Sequence, residues 1–149
     1  MKKSLVHIVL LLLMLSTLSG FGQLSPGDLS QAHAKLEGMS NCTQCHDLGK
    51  KVNNNKCLEC HKEIKILIGQ NKGYHASSEA KSKDCFSCHS EHHGRKFDMV
   101  RFDEKKFNHD LTKYKLEGAH ATIECKECHR PDNIQDASIR KKKDTFLGL

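Results

Sequence analysis

All eight cysteines of the 149-residue chain fall in four copies of one pattern: Cys42-Thr-Gln-Cys45-His46, Cys57-Leu-Glu-Cys60-His61, Cys85-Phe-Ser-Cys88-His89 and Cys125-Lys-Glu-Cys128-His129. No cysteine stands outside a C-x-x-C, and a histidine directly follows every pair. C-x-x-C-H is the attachment pattern for c-type haem. Two thiols at this spacing add across the vinyl groups on one edge of the macrocycle, and the adjacent histidine reaches under the ring to the iron. Three plainer chemistries compete. Cys42, Cys45, Cys57 and Cys60 have C-x2-C-x11-C-x2-C spacing, near that of a zinc ribbon or knuckle. The pairs also suit redox-active disulfides, or an ordinary disulfide framework. None of these needs a histidine after each pair, and composition alone gives four such coincidences about once in tens of thousands. The chemistry expected is therefore four covalently attached haems c, each iron taking its first axial ligand from His46, His61, His89 or His129.

A six-coordinate haem needs a second axial ligand, usually His or Met. Beyond residue 22 the chain has only Met39 and Met99, but six further histidines: His33, His75, His92, His93, His109 and His120. Four bis-His haems with histidines to spare is the economical expectation. His92 and His93 lie three and four residues after His89, on the same face of any helical turn. Neither would then reach the far side of the haem bound by His89, so whichever ligates must serve a different iron; His92 is preferred. His120, five residues before Cys125, also has little chain with which to wrap its own haem. His33 and His75 have slack for a local or a distant iron, and His109 sits in an aromatic-flanked Phe107-Asn108-His109. The ligand set expected is His33, His75, His92, His109 and His120 beside the four motif histidines.

The elements that position these groups must be small. Residues 1–22 carry 13 of the 55 apolar residues, and eight of the remaining 42 are cysteine. The other 127 residues thus keep 34 ordinary apolar side chains, whereas soluble domains are nearly half apolar. A large α/β enzyme and a polytopic membrane protein are both excluded, and something besides aliphatic packing must form the core. Lys2 and Lys3 precede an apolar run, Leu5 to Leu18, and then Gly20-Phe21-Gly22. This reads as a cleaved signal peptide over 1–22, its run of 14 residues falling short of the roughly 20 needed to span a bilayer. Residues 23–149 then form the tetrahaem domain, in the periplasm.

The motif starts are 15, 28 and 40 residues apart, a loose repeat without a fixed period. A helix is expected over residues 57–69, with Ile64, Leu67 and Ile68 as its apolar stripe, and a short one within Asp28–Glu37. Asn53-Asn54-Asn55 and Gly73 mark turns. Phe97, Met99, Val100 and Phe102 suggest a short strand. The fold class expected is mostly α and irregular, short helices and loops wrapped around four haems. After the leader, 22 basic residues face 18 acidic ones, a surplus suited to haem propionates and protein partners. No aromatic-interleaved basic stretch supports nucleic-acid binding, and Lys141-Lys142-Lys143 reads as a solvated tail.

Taken together, the four C-x-x-C-H motifs, the additional histidines, the few aromatics and the export signal resemble the class III multihaem cytochromes c, of the cytochrome c3/c7 kind. The likeness covers roughly His33 to His129, and the stretch from Phe107-Asn108-His109 through His120 to Cys125–His129 is similar to that family's His-then-motif module. It implies a small periplasmic electron carrier with closely packed bis-His haems of low potential. The motif intervals depart from the familiar tetrahaem pattern, where some sites are C-x4-C-H. The apolar ending Thr145-Phe-Leu-Gly-Leu149, read as uncapped and unpaired, suggests the lead-in to another module, so the chain is also weighed as the N-terminal part of a longer multihaem protein.

The leading expectation for function is relay of electrons between redox partner proteins, including a membrane-bound quinol-linked or respiratory complex, with no substrate pocket and no catalytic residue. The rivals are a multihaem reductase of a small oxyanion with one open haem, a haem subunit of a larger respiratory complex, and a zinc-binding interaction module.

Overall fold

A computed structural model describes residues 25–142 and 145–149; the leader segment 1–22 and Lys143 lie outside the described residues. The ordered elements are short α-helices and 3₁₀ turns, and no strand occurs among the described residues. Nor is any described helix long and apolar enough to cross a membrane. The chain divides into two compact units.

The described part of the first unit is 25–62 with Lys83–Arg101. Its helices are α1 (Cys42–Cys45) and α2 (Asn54–Cys60), with 3₁₀ turns at Gln31–Leu36, Met39–Asn41 and Cys85–Ser87. Asn53 starts α2 by accepting the Asn55 N–H at 2.7 Å, satisfying a donor that the first helical turn leaves open. Asn54 then ties α2 to the third motif: its Oδ1 accepts from the Cys85 N–H at 2.9 Å and its Nδ2 donates to the Lys83 carbonyl at 3.1 Å. At the other end of the unit the Gly94 N–H donates to the Asp28 carbonyl, and the Arg95 guanidinium donates to the Leu29 carbonyl and to Glu37.

The second unit comprises Glu63–Ser82 and Phe102–Leu149. It holds α3 (Lys62–Gly69, whose first residue belongs to the first unit), α4 (Cys125–Cys128) and α5 (Ala137–Arg140), with 3₁₀ turns at Tyr74–Ala76, His109–Thr112, Gly118–Thr122 and Pro131–Asn133. Phe102 packs on Phe107 and Phe146 with ring centroids 5.0 and 4.6 Å apart, and Tyr74 lies 5.7 Å from Phe107. Asp136 caps α5 through the N–H groups of Ser138 and Ile139.

Several local expectations change. The helix expected over 57–69 starts earlier, at Asn54, and is broken at His61, whose φ of −84° and ψ of 61° are not helical. The helix expected within Asp28–Glu37 is a 3₁₀ turn over Gln31–Leu36. The strand expected across Phe97–Phe102 does not form. Without a partner strand its backbone donors gain no ladder, and its rings pack locally: Phe97 on His93 at 4.4 Å, Phe102 in the aromatic cluster. The ending is not unpaired either, because Phe146 packs in that cluster and Lys126 sits 4.2 Å over its ring. Within the basic run, Lys142 pairs with Glu63.

The described residues bury little. Ala76, Ile134 and Ile139 are the buried hydrophobic ones, with Ser30 and Ser77 the buried polar ones. The sparse aliphatic composition is matched by a sparse aliphatic core.

Candidate haem-binding site

Each of the four motifs folds into the same turn. The histidine N–H donates to the carbonyl of the first cysteine, His46 to Cys42 at 2.8 Å, His61 to Cys57 at 3.0 Å, His89 to Cys85 at 2.9 Å and His129 to Cys125 at 2.9 Å. This i to i−4 bond closes one helical turn, which brings both thiols to one side. In the three motifs that end α1, α2 and α4, the histidine then leaves helical backbone, with ψ of 136° at His46, 61° at His61 and 59° at His129. All eight cysteines are free thiols. Burial pushes the Cys45 and Cys57 thiols up, and the neighbouring Cys85 raises Cys57 further.

Three motif histidines each face a histidine from outside the motifs. In the first unit His61 meets His33 with ring centroids 6.0 Å apart, and His46 meets His92 at 6.1 Å. In the second, His129 meets His109 at 6.1 Å. With metal–nitrogen bonds of about 2 Å and roughly 1 Å from nitrogen to ring centre, two imidazoles on opposite sides of one metal ion stand about 6 Å apart. Ordinary ring packing reaches the same distance. It does not, however, explain why each pair joins one motif histidine to one non-motif histidine.

Hydrogen bonds to the ring nitrogens sort the candidates further. Metal-bound histidines nearly always engage their other nitrogen with a carboxylate or carbonyl, which fixes the ring. His33 has Nδ1 2.5 Å from Glu91 Oε1, His92 has Nδ1 2.8 Å from the Gly27 carbonyl, and His109 has Nδ1 2.9 Å from the Tyr114 carbonyl. His89 does the same with the Met99 carbonyl at 3.0 Å. In His33, His92 and His109, Nε2 is the nitrogen left for a metal. His93 is the reverse: its Nε2 lies 2.9 Å from the Ser90 hydroxyl and its ring stacks on Phe97. This contrast favours His92 over His93, but the helical turn expected to put both on the face of His89 does not form. His92 has a φ of 69°. That left-handed backbone is uncommon outside glycine; it aims the ring at His46.

Gly27 makes this placement possible. A Cβ there would lie 2.5 Å from the His92 carbonyl oxygen, so the two backbones approach as closely as they do only because residue 27 has no side chain. Glu91 is held by four groups: the Ser30 N–H at 2.7 Å, the Ser30 hydroxyl at 2.8 Å, the His92 N–H at 3.4 Å and His33. Burial would raise its pKa, but these hydrogen bonds and His33 outweigh it and keep Glu91 below the usual carboxylate range. Burial also lowers His129, helped by His109 and Lys126, and its Nδ1 is a buried nitrogen with no bonded partner of good geometry.

Beside His129 lies a cavity of about 370 Å³, lined by Pro131 and Ile134 and by Lys126, Arg130, Arg140, Lys141 and Lys142. An apolar wall with a cationic rim suits a flat hydrophobic group bearing carboxylates. His75 stands in the Tyr74–Ala76 turn with its ring 5.9 Å from Tyr74, and His120 in the Gly118–Thr122 turn; neither belongs to the three pairs. Among the described residues no three His, Cys, Asp or Glu side chains converge on a chelating site. Sequence reasoning missed Glu91, Ser30 and Gly27, whose roles depend on contacts more than 50 residues apart in the chain.

Compared with models of protein families, with curated proteins and with solved structures, the chain finds no match.

Proposed function

We propose that the chain is an exported, periplasmic electron-transfer protein carrying four bis-His haems c. The observation that carries this reading is the set of three ring pairs, each made of a motif histidine and a non-motif histidine at 6.0–6.1 Å. Cys42, Cys45, Cys57, Cys60, Cys85, Cys88, Cys125 and Cys128 would anchor the macrocycles. His46 with His92, His61 with His33 and His129 with His109 would hold three irons, and His89 would hold the fourth. When bound, haem supplies reversible one-electron chemistry.

The residues of this chain do the rest. Two imidazoles on each iron would leave no coordination site for substrate and would favour outer-sphere exchange with partner proteins. Carbonyl and carboxylate acceptors on Nδ1 orient the rings and raise their basicity. The cations around the His129 cavity would neutralise propionates.

Ligand binding tests the coordination. Carbon monoxide added to the reduced protein, and cyanide to the oxidised protein, should leave the spectrum unchanged over the time in which a five-coordinate haem responds fully. Stoichiometric binding at one haem would instead favour the reductase reading.

A further inference from the structure

Among the described residues, His33 is the one non-motif partner of the three ring pairs whose Nδ1 meets a carboxylate. His92 and His109 present Nδ1 to the neutral carbonyls of Gly27 and Tyr114. His33 presents Nδ1 to the Glu91 carboxylate, in a contact of 2.5 Å. Glu91 is fixed there, because the backbone N–H and hydroxyl of Ser30 hold its two oxygens and Ser30 itself is 3% exposed. The contact is partly shielded, with 30% of the His33 side chain and 20% of the Glu91 side chain accessible.

A carboxylate draws the Nδ1 proton more strongly than a carbonyl does. The imidazole then donates more electron density through Nε2, and the extra negative charge lies a few ångströms from the metal. Both effects favour the oxidised iron. Resting on the haem reading above, we propose that Glu91 is a positioning residue that polarises His33 and makes the His33–His61 haem the hardest to reduce of the three ring-paired sites. The consequence is an order of filling: electrons entering the first unit settle on the His46–His92 haem before the His61–His33 haem, which is the stronger donor once reduced.

The test uses the exported, haem-loaded protein. Intact mass comes first: a wild-type protein without haem would defeat the underlying reading, whereas four haems in wild type and in E91Q isolates the present one. Redox titration followed by NMR, with each haem assigned through its axial rings, then gives four potentials. In E91Q the His33–His61 potential should rise by about 59 mV or more, a tenfold change in its one-electron equilibrium, with smaller changes at the other three. E91D should restore most of the wild-type value. An unchanged His33–His61 potential, or an equal rise at all four haems, would overturn the proposal. Should E91Q not assemble, S30A loosens the clamp while keeping the charge. A smaller rise confined to the same haem is then expected, and no rise counts against the proposal.

Discussion

The first unit contains three of the four Cys-x-x-Cys-His turns and, among its described residues, buries no hydrophobic side chain; Ser30 is its one buried residue. The second contains one such turn, all three described buried hydrophobic residues, and the cluster of Tyr74, Phe102, Phe107 and Phe146. The first is stitched by polar bonds: Asn54 to the third motif, Arg95 to Leu29 and Glu37, Glu91 to Ser30 and His33. Hydrogen bonds contribute only about 1 kcal/mol each, and folding must offset roughly 1–2 kcal/mol of backbone entropy per residue. A unit whose described apolar side chains are half-buried or exposed is poorly placed to meet that requirement unaided. Under the proposed function its three haems are the missing core, whereas the second unit has side chains to share that role with one.

Removing cofactors from each unit in turn would test this contrast most severely. Cys57→Ser with Cys60→Ser should unfold the first unit, seen as rapid cleavage across residues 25–62 in limited proteolysis read by mass spectrometry. Cys125→Ser with Cys128→Ser should loosen the second unit but leave its aromatic cluster partly protected. Equal resistance of both variants would remove the contrast.

A smaller effect is expected at Gly27. Gly27→Ala places a methyl group against the His92 carbonyl, at a cost of about 1–3 kcal/mol, and displaces the ring that faces His46. A high-spin fraction limited to one haem, measured by electron paramagnetic resonance, is the expected outcome; a wholly low-spin spectrum would count against His92 as ligand.

In the second unit, Phe146→Ala removes ring contacts to Phe102 and His129 and the Lys126 cation–π contact. Since the ring is half-buried, the loss should be about 1–2 kcal/mol, below the 3–5 kcal/mol of a fully buried Phe, as measured by denaturant unfolding.

The smallest change belongs to Asp136. The Ser138 hydroxyl and N–H and the Ile139 N–H hold its carboxyl below the usual carboxylate range. A depressed folded-state pKa means the stabilisation is fully present above about pH 4 and is lost as pH falls through the lower folded value. Asp136→Asn should therefore lower the melting temperature slightly at neutral pH and make no difference at acid pH.

The features legible in the chain were those carried by local spacing. Each C-x-x-C-H closes within five residues, so its turn follows from the motif alone. The apolar stripe Ile64, Leu67 and Ile68 likewise announced the helix at Lys62–Gly69. The break at His61 escaped a reading based on apolar periodicity, because Ile64, Leu67 and Ile68 continue the stripe regardless of the backbone at residue 61. The partners His33, His92 and His109 were named as candidates, but which motif each one faces depends on chain reversals that composition does not encode. Glu91 looked like one more charged residue among many, and its role becomes visible only beside Ser30 and His33.

The most direct test of the central claim is the intact mass of the exported protein together with its reduced-minus-oxidised visible spectrum. Four haem-mass increments, loss of about 22 N-terminal residues and a low-spin spectrum without a methionine–iron band are expected. A protein with no added haem mass and no Soret absorption would contradict that claim, and the four histidine-tailed cysteine pairs would then need another chemistry.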